Sequence, residues 1–397
     1  MSKSPARTIA AVTRTSIVEF ALVATAAAIE LAPLPAPWIE RWYSVTLYPH
    51  IERGVTPLSN LVPFALFDVL LFVVAVMVVV SLARATAGAW RARSVVPVAR
   101  TLLHVAAGGA VLYVLFLALW GLNYRRIPMR DRLVIDRSVP STDDVVQLGL
   151  IAVTQINDLY ASAHASDAHP PEWEDPSLRV AFGEVEGALS DAPGAEPGRL
   201  KRTLVGPYFR WTGVDGMVNP FGLEVLVNPG LLQFERPFVA AHEWGHLAGY
   251  ADESEANFIG WLTCIRASRA AQYSGWFFLY WQIAGEVDAT SRARINMALA
   301  DGPRRDINAV IARLRRDEVP ALQAASWRVY DKYLKANRVA AGVRSYGLVI
   351  DLILRARYAP GWTPLRRGAA PVPSSGASAG RPPGGGTSAA PPSAPAP

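Results

Sequence analysis

The chain has a single cysteine, Cys264, among its 397 residues. It can form no intramolecular disulfide, and a thiolate-rich zinc site is excluded. Charge is also sparse: Asp, Glu, Lys and Arg make up 18% of the chain against 51% apolar residues. The arginines are scattered and many flank apolar segments. The net charge of +6 therefore speaks for orientation in a membrane rather than for nucleic-acid binding. No internal repeat is visible. The length allows two domains, and the apolar excess lies mostly in the first third of the chain.

That first third reads as three spans. A basic tail, residues 1–15, carries Lys3, Arg7 and Arg14. Residues 16–32 form the first span, although Glu19 and Glu30 interrupt it and a signal peptide is the competing reading. Residues 64–83 and 101–122 form the second and third, with Asp68 and His104 near their starts. The segment between the first two, residues 33–63, reads as a loop whose Trp38, Trp42, Tyr43 and Tyr48 suit a membrane interface. Arg84, Arg91, Arg93 and Arg100 surround the second connection, whereas the first has only Arg41 and Arg53. This bias puts Met1 and the second connection in the cytoplasm and everything after Leu122 outside. Arg125, Arg126, Arg130 and Arg132 oppose that orientation, a charge effect that long translocated domains override.

The remainder, residues 123–358, is long enough for a core of its own. Helical periodicity marks 142–164, 176–190, 253–268, 273–287, 291–300, 304–316, 318–337 and 345–357. The aromatic stretch 273–287 is too short to span and reads as core. One strand is expected, at 223–228. Residues 359–397 are mostly Pro, Gly, Ser and Ala, most markedly from Gly368, and are expected to be disordered.

The chemistry concentrates in Ala241-His242-Glu243-Trp244-Gly245-His246, a His-Glu-x-x-His motif. On a helix, His242 and His246 lie four residues apart on one face, where two imidazoles can hold one Zn²⁺. Glu243 is then the general base on a metal-bound water. Pro237 suits the first turn of that helix and Gly249 its stop. Glu235 and Arg236 before the motif and Asp252, Glu253 and Glu255 after it leave too short an apolar run for a site within the lipid. The third ligand is open among those three acids. Asp252 is a natural N-cap. Glu253 shares a helix face with the small residues Ala256, Gly260, Cys264 and Ala267, which permit a close approach, so it ranks first. Asn257, one turn on, is a candidate for orienting a ligand. Tyr280, Arg344 and Tyr346 are chemically suited to stabilising the transition state, and the strand at 223–228 to aligning a peptide substrate.

Several stretches together resemble a bacterial membrane family of unknown function, numbered thirty-eight ten, with a zincin-like motif. They are Trp120 to Tyr124, Asn219-Pro220-Phe221, His242 to Phe258, Tyr330 to Asn337 and Ser345-Tyr346-Gly347. The resemblance implies three spans and an extracytoplasmic domain, and brings no substrate. The Glu253-x-x-Ala256-Asn257 run also resembles the third-ligand helix of other membrane zinc peptidases, with Asn257 where Asp is usual. The expected protein is mainly α: three N-terminal transmembrane helices, then a mostly helical zincin-like domain with a small β element beside the motif helix. The expected function is zinc-dependent hydrolysis of extracytoplasmic protein, peptide or cell-envelope substrates, with the bacterial inner membrane as location. The alternative is a non-catalytic binding or scaffolding protein of the same fold.

Overall fold

The computed structural model describes residues 5–165, 175–337 and 348–368, with side chains from residue 17 onward. Long helices span Pro5–Leu31, Leu66–Ala92 and Val96–Leu119. The last two are long and apolar enough to cross a membrane on their own. The first qualifies only together with Ala36–Asn60, which continues it after a bend of 103°. Two to three helices of membrane length are therefore present. Without water in a bilayer core, these Val- and Leu-rich runs satisfy their amides only as helices. Phe72, Met77 and Val79 on the Leu66–Ala92 helix are exposed, as lipid-facing residues would be. That helix has 27 residues, about 40 Å, and closes at Arg93 in a left-handed conformation before Pro97 opens the next helix.

Three helix ends are tied to the globular part. Arg125 donates to the Ile29 carbonyl at the end of the first helix. Leu66 N and Phe67 N, at the start of the second, donate to the Glu224 carboxylate, and Asp68 accepts from Leu204 N. Trp120, just past the third, donates to the His246 carbonyl at 2.8 Å. The turn at Arg93 is at the far end. Part of the basic cluster after the third helix is neutralised: Arg125 pairs with Glu30, and Arg126 pairs with Glu40 at 2.8 Å.

The expected loop at 33–63 is instead helical. A wide π-helical stretch, Ile39–Leu47, runs into the helix Tyr48–Asn60. Its aromatic residues divide. Trp38 and Trp42 are exposed, whereas Tyr43 and Tyr48 are buried, and the Tyr48 hydroxyl donates to the Leu247 carbonyl at the end of the motif helix. The four prolines between 35 and 57 hide this helix from a periodicity reading, yet Pro37 and Pro49 sit in first turns, where no amide is lost.

The expected helices of the globular part appear with shifted ends, among them Thr142–Ala163, Arg269–Glu286 and Pro320–Ala336. Tyr273, Trp276, Phe277 and Ile283 of the aromatic stretch are core. Strand β1 (Leu200–Lys201), β2 (Gly216–Asn219) and β3 (Glu224–Val227) form one small sheet in the order β1-β3-β2. β3 pairs parallel with β1 and antiparallel with β2, and all four of its residues are buried. Residues 359–368, expected to belong to the disordered tail, are partly ordered. β4 (Tyr358–Ala359) pairs with β5 (Thr363–Pro364), and Val134 N donates to the Leu365 carbonyl. The pairing comes from a distant segment, so composition could not show it. Residues 369–397 lie outside the described residues.

Lys201 and Glu224 form an ion pair at 2.7 Å with both side chains fully buried. Ser59 accepts from the ammonium, and Asn219 and the two amides of the second long helix donate to the carboxylate. Removing one partner strands the other charge. Glu224→Gln is expected to lower stability by about 3–5 kcal/mol, measured as thermal or denaturant unfolding in detergent. A change within 1 kcal/mol would show that the pair is not a keystone of the sheet.

Candidate metal centre

The motif helix spans Arg236–Leu247 with Pro237 in its first turn. It ends where Gly249 takes a left-handed conformation (φ 81°) and Tyr250 N returns to the Gly245 carbonyl. The chain reverses over five residues into the next helix, Glu253–Cys264. Asp252 caps that helix, its carboxylate accepting from Ser254 N at 2.9 Å. The two helices cross at small residues. A Cβ on Gly260 would sit 3.1 Å from His242 N, and one on Gly245 would sit 3.3 Å from the Ala256 Cα. Cys264 lies further along, against Gly275 of the Arg269–Glu286 helix.

This crossing brings His242, His246 and Glu253 together, with one ligand atom from each within 4.8 Å of the others. His242 Nε2 and His246 Nε2 lie 3.4 and 3.5 Å from the same atom, Glu253 Oε2. Ligands of a tetrahedral zinc at about 2.0–2.1 Å are separated by about 3.3–3.4 Å from one another. The donor set, two imidazoles and a carboxylate, is also that of a hydrolytic zinc site. Glu253 Oε2, the atom that faces both imidazoles, is buried and has no hydrogen-bond partner among the described residues. Both observations fit a metal.

Two of the three side chains, His246 and Glu253, are held from behind. His246 Nδ1 faces the Tyr250 carbonyl at 2.8 Å, which leaves Nε2 as the lone-pair nitrogen. Trp120 stacks edge-on against the same imidazole. The Tyr330 hydroxyl, on the Pro320–Ala336 helix, donates to Glu253 Oε1. Tyr333, one turn on, packs against both Tyr330 and Tyr124. In the metal-free cluster, burial alone would lower His246, but the Glu253 carboxylate outweighs it and raises the imidazole to about 9. Burial works against ionised Glu253 too, and the two imidazoles overcome it, holding its carboxyl well below the usual range.

Glu243 is buried beside the cluster, its Oε2 without a partner. Burial raises its carboxyl above the ordinary value, and the two imidazoles partly oppose that. It lies against the edge strand: a Cβ on Gly216 would sit 2.4 Å from Glu243 Oε1. A larger residue there would have to displace the Glu243 side chain. The strand expected to align substrate, 223–228, is therefore the wrong one. β3 is paired on both sides, whereas among the described residues β2 has β3 on one side only. Asp215, just before β2, is bound by Arg313 at 3.4 Å, and Arg313 also holds Glu235 at 2.8 Å.

The remaining expected site residues are dispersed. Glu255 faces away and accepts from Met129 N. Tyr280 donates to Asn296 at 2.9 Å. Asn257 is buried with its Nδ2 unpartnered, and among the described residues it makes no hydrogen bond to the cluster. Arg344 and Tyr346 lie outside the described residues. Tyr330, Gly216 and Arg313 had been assigned no role from sequence. Only Tyr330 lay in a stretch singled out there.

Fold and site together define a mainly helical protein with helices of membrane length and a His-His-Glu cluster in which His246 and Glu253 are buried and His242 is partly exposed. The chain belongs to the family described as Protein of unknown function (DUF3810), which matches over residues 43–354. That range contains the last two long helices, the sheet and the cluster. No curated protein and no solved structure matches the chain.

Proposed function

We propose that the protein is a membrane-anchored zinc metallopeptidase of zincin-like design, acting on extracytoplasmic protein, peptide or cell-envelope substrates. The observation that carries this reading is the convergence of His242, His246 and Glu253 with Glu243 alongside. Zn²⁺ held by these three residues would supply Lewis acidity toward a water and toward the scissile carbonyl. Glu243 takes the proton of the attacking water and passes it to the leaving amine. The Tyr250 carbonyl orients His246, and the Tyr330 hydroxyl orients Glu253. The β2 edge, running past Glu243 at Gly216, receives an extended peptide by strand addition. Metal analysis of the purified protein together with cleavage of a peptide library tests the reading. One equivalent of zinc with zinc-dependent cleavage is expected. Zinc without cleavage of any peptide would leave a non-catalytic scaffold, and absence of zinc would overturn the centre itself.

The anchoring has the orientation that the basic residues favour: Met1 and the Arg93 turn in the cytoplasm, the domain outside, in a bacterial inner membrane. The tethering of three helix ends to the globular part supports it, as does the neutralisation of Arg125 and Arg126 by Glu30 and Glu40. Reporter fusions at residue 93 and after residue 368 should report opposite sides. Agreement between them would refute the arrangement, and a third fusion at the N-terminus decides between two spans and three.

A further inference from the structure

A second cluster of oxygen ligands lies behind the motif helix. Glu52, from the helix Tyr48–Asn60, and Glu186, near the end of the helix Pro176–Leu189, are both buried. They are held side by side by consecutive amides of one loop. Ala195 N donates to Glu186 at 3.0 Å and Glu196 N donates to Glu52 at 3.1 Å. Both carboxylates line a small cavity together with Ser44, Tyr250 and Arg126. Ser44 (3% exposed) and Tyr250 (2% exposed) are buried there, and among the described residues neither hydroxyl has a hydrogen-bond partner.

The charges do not balance locally. Arg126 is the cation in the wall, and it is spent elsewhere: it pairs with Glu40 through two nitrogens, donates to the Gly249 carbonyl and stacks on the Tyr250 ring. Two buried carboxylates and two unpartnered hydroxyl oxygens remain, with no nitrogen or sulfur ligand among them. Burial and the neighbouring Glu52 oppose ionisation of Glu186, and its carboxyl is pushed up to about 8 despite the Ala195 amide. Burial likewise raises the Glu52 carboxyl, to about 7. Such an all-oxygen pocket suits a hard divalent cation that keeps some of its water and whose charge would favour both carboxylates.

We infer that Glu52, Glu186, Ser44 and Tyr250 form a calcium site, separate from the His-His-Glu cluster. The site joins three parts of the molecule: the helical segment 36–60, the end of the helix Pro176–Leu189 with the loop that follows it, and the turn after the motif helix. Its Tyr250 is also the residue whose carbonyl orients His246. Calcium there would fix the turn that aims the imidazole. The inference does not depend on the zinc reading.

The test uses the full chain in detergent, freed of calcium by dialysis, with thermal unfolding followed during titration with CaCl₂ and, in parallel, MgCl₂. Calcium is expected to raise Tm by on the order of 5 °C at saturation, with a dissociation constant in the range of extracellular modules, about 10⁻⁴–10⁻³ M. The shift should vanish in Glu52→Gln/Glu186→Gln and survive in His242→Ala, which separates this site from the zinc centre. Should the double variant fail to fold, radioactive calcium binding to Glu186→Gln and Ser44→Ala reads the same site, each with weakened uptake. An unchanged calcium response in the glutamine variants would overturn the proposal. So would a wild-type protein that gains stability on acidification but not with calcium, since the carboxylates would then share a proton.

Discussion

Glu243→Gln is expected to lower kcat by about 10²–10⁴-fold while the protein keeps its full complement of zinc. The side chain is buried next to the cluster but is not one of its converging ligands. Glutamine has the same size and fits beside Gly216, where Glu243 Oε1 is already in close contact. The fold and the donor set should thus survive. What is lost is the carboxylate that accepts a proton, and an amide cannot replace it. His242→Ala makes the contrasting case, with metal and activity lost together. The measurement pairs zinc stoichiometry with initial rates on a cleaved peptide, and near-wild-type turnover by the glutamine variant would falsify the assigned role. Loss of zinc in that variant would instead make Glu243 a ligand and require another base.

The parts of this molecule that were legible from sequence are those set by local pattern. The Thr142–Ala163 helix shows its apolar period, and the motif helix shows Pro237 and Gly249 at its ends. Glu253 was within reach because its helix begins a few residues after the motif and its small-residue face can be traced by angle. Gly260 and Ala256 do form that crossing, but Cys264 of the same face packs elsewhere, because a third helix covers it. What was not legible depends on partners distant in the chain. β1 has two residues and β2 is Gly-Met-Val-Asn, so neither carries alternation; both exist because β3 pairs with them. Tyr330 meets Glu253 across 77 positions. Arg125 read as a topogenic charge because Glu30, its neutralising partner, lies 95 residues earlier. Trp38, Trp42, Tyr43 and Tyr48 are alike in sequence, and only the packing of Tyr43 and Tyr48 against the third long helix and the motif helix separates them.

Among the three acids after the motif, Glu253→Gln is expected to release zinc, with Asp252→Asn and Glu255→Gln retaining it. Only Glu253 places an oxygen between the two Nε2 atoms. Its amide would offer a neutral, weaker donor where the site needs an anion. Asp252 is engaged as a helix cap, a role asparagine fills equally well, so its variant should lose neither stability nor metal. Glu255 accepts from Met129 N, and its burial raises the carboxyl to about 7, so a neutral glutamine resembles a state it already visits near neutral pH. Tyr330→Phe is the graded case. It leaves the ligand in place but removes the hydroxyl that holds Glu253 Oε1, and zinc should bind about 10–100-fold more weakly. The four variants are compared by zinc content after dialysis and by competition with a chromophoric chelator, with circular dichroism as the check on folding. The expected order of affinity is Asp252→Asn and Glu255→Gln near wild type, then Tyr330→Phe, then Glu253→Gln. Wild-type affinity in Glu253→Gln would remove the carboxylate from the centre, and an unchanged Tyr330→Phe would mean that the hydroxyl does not support it.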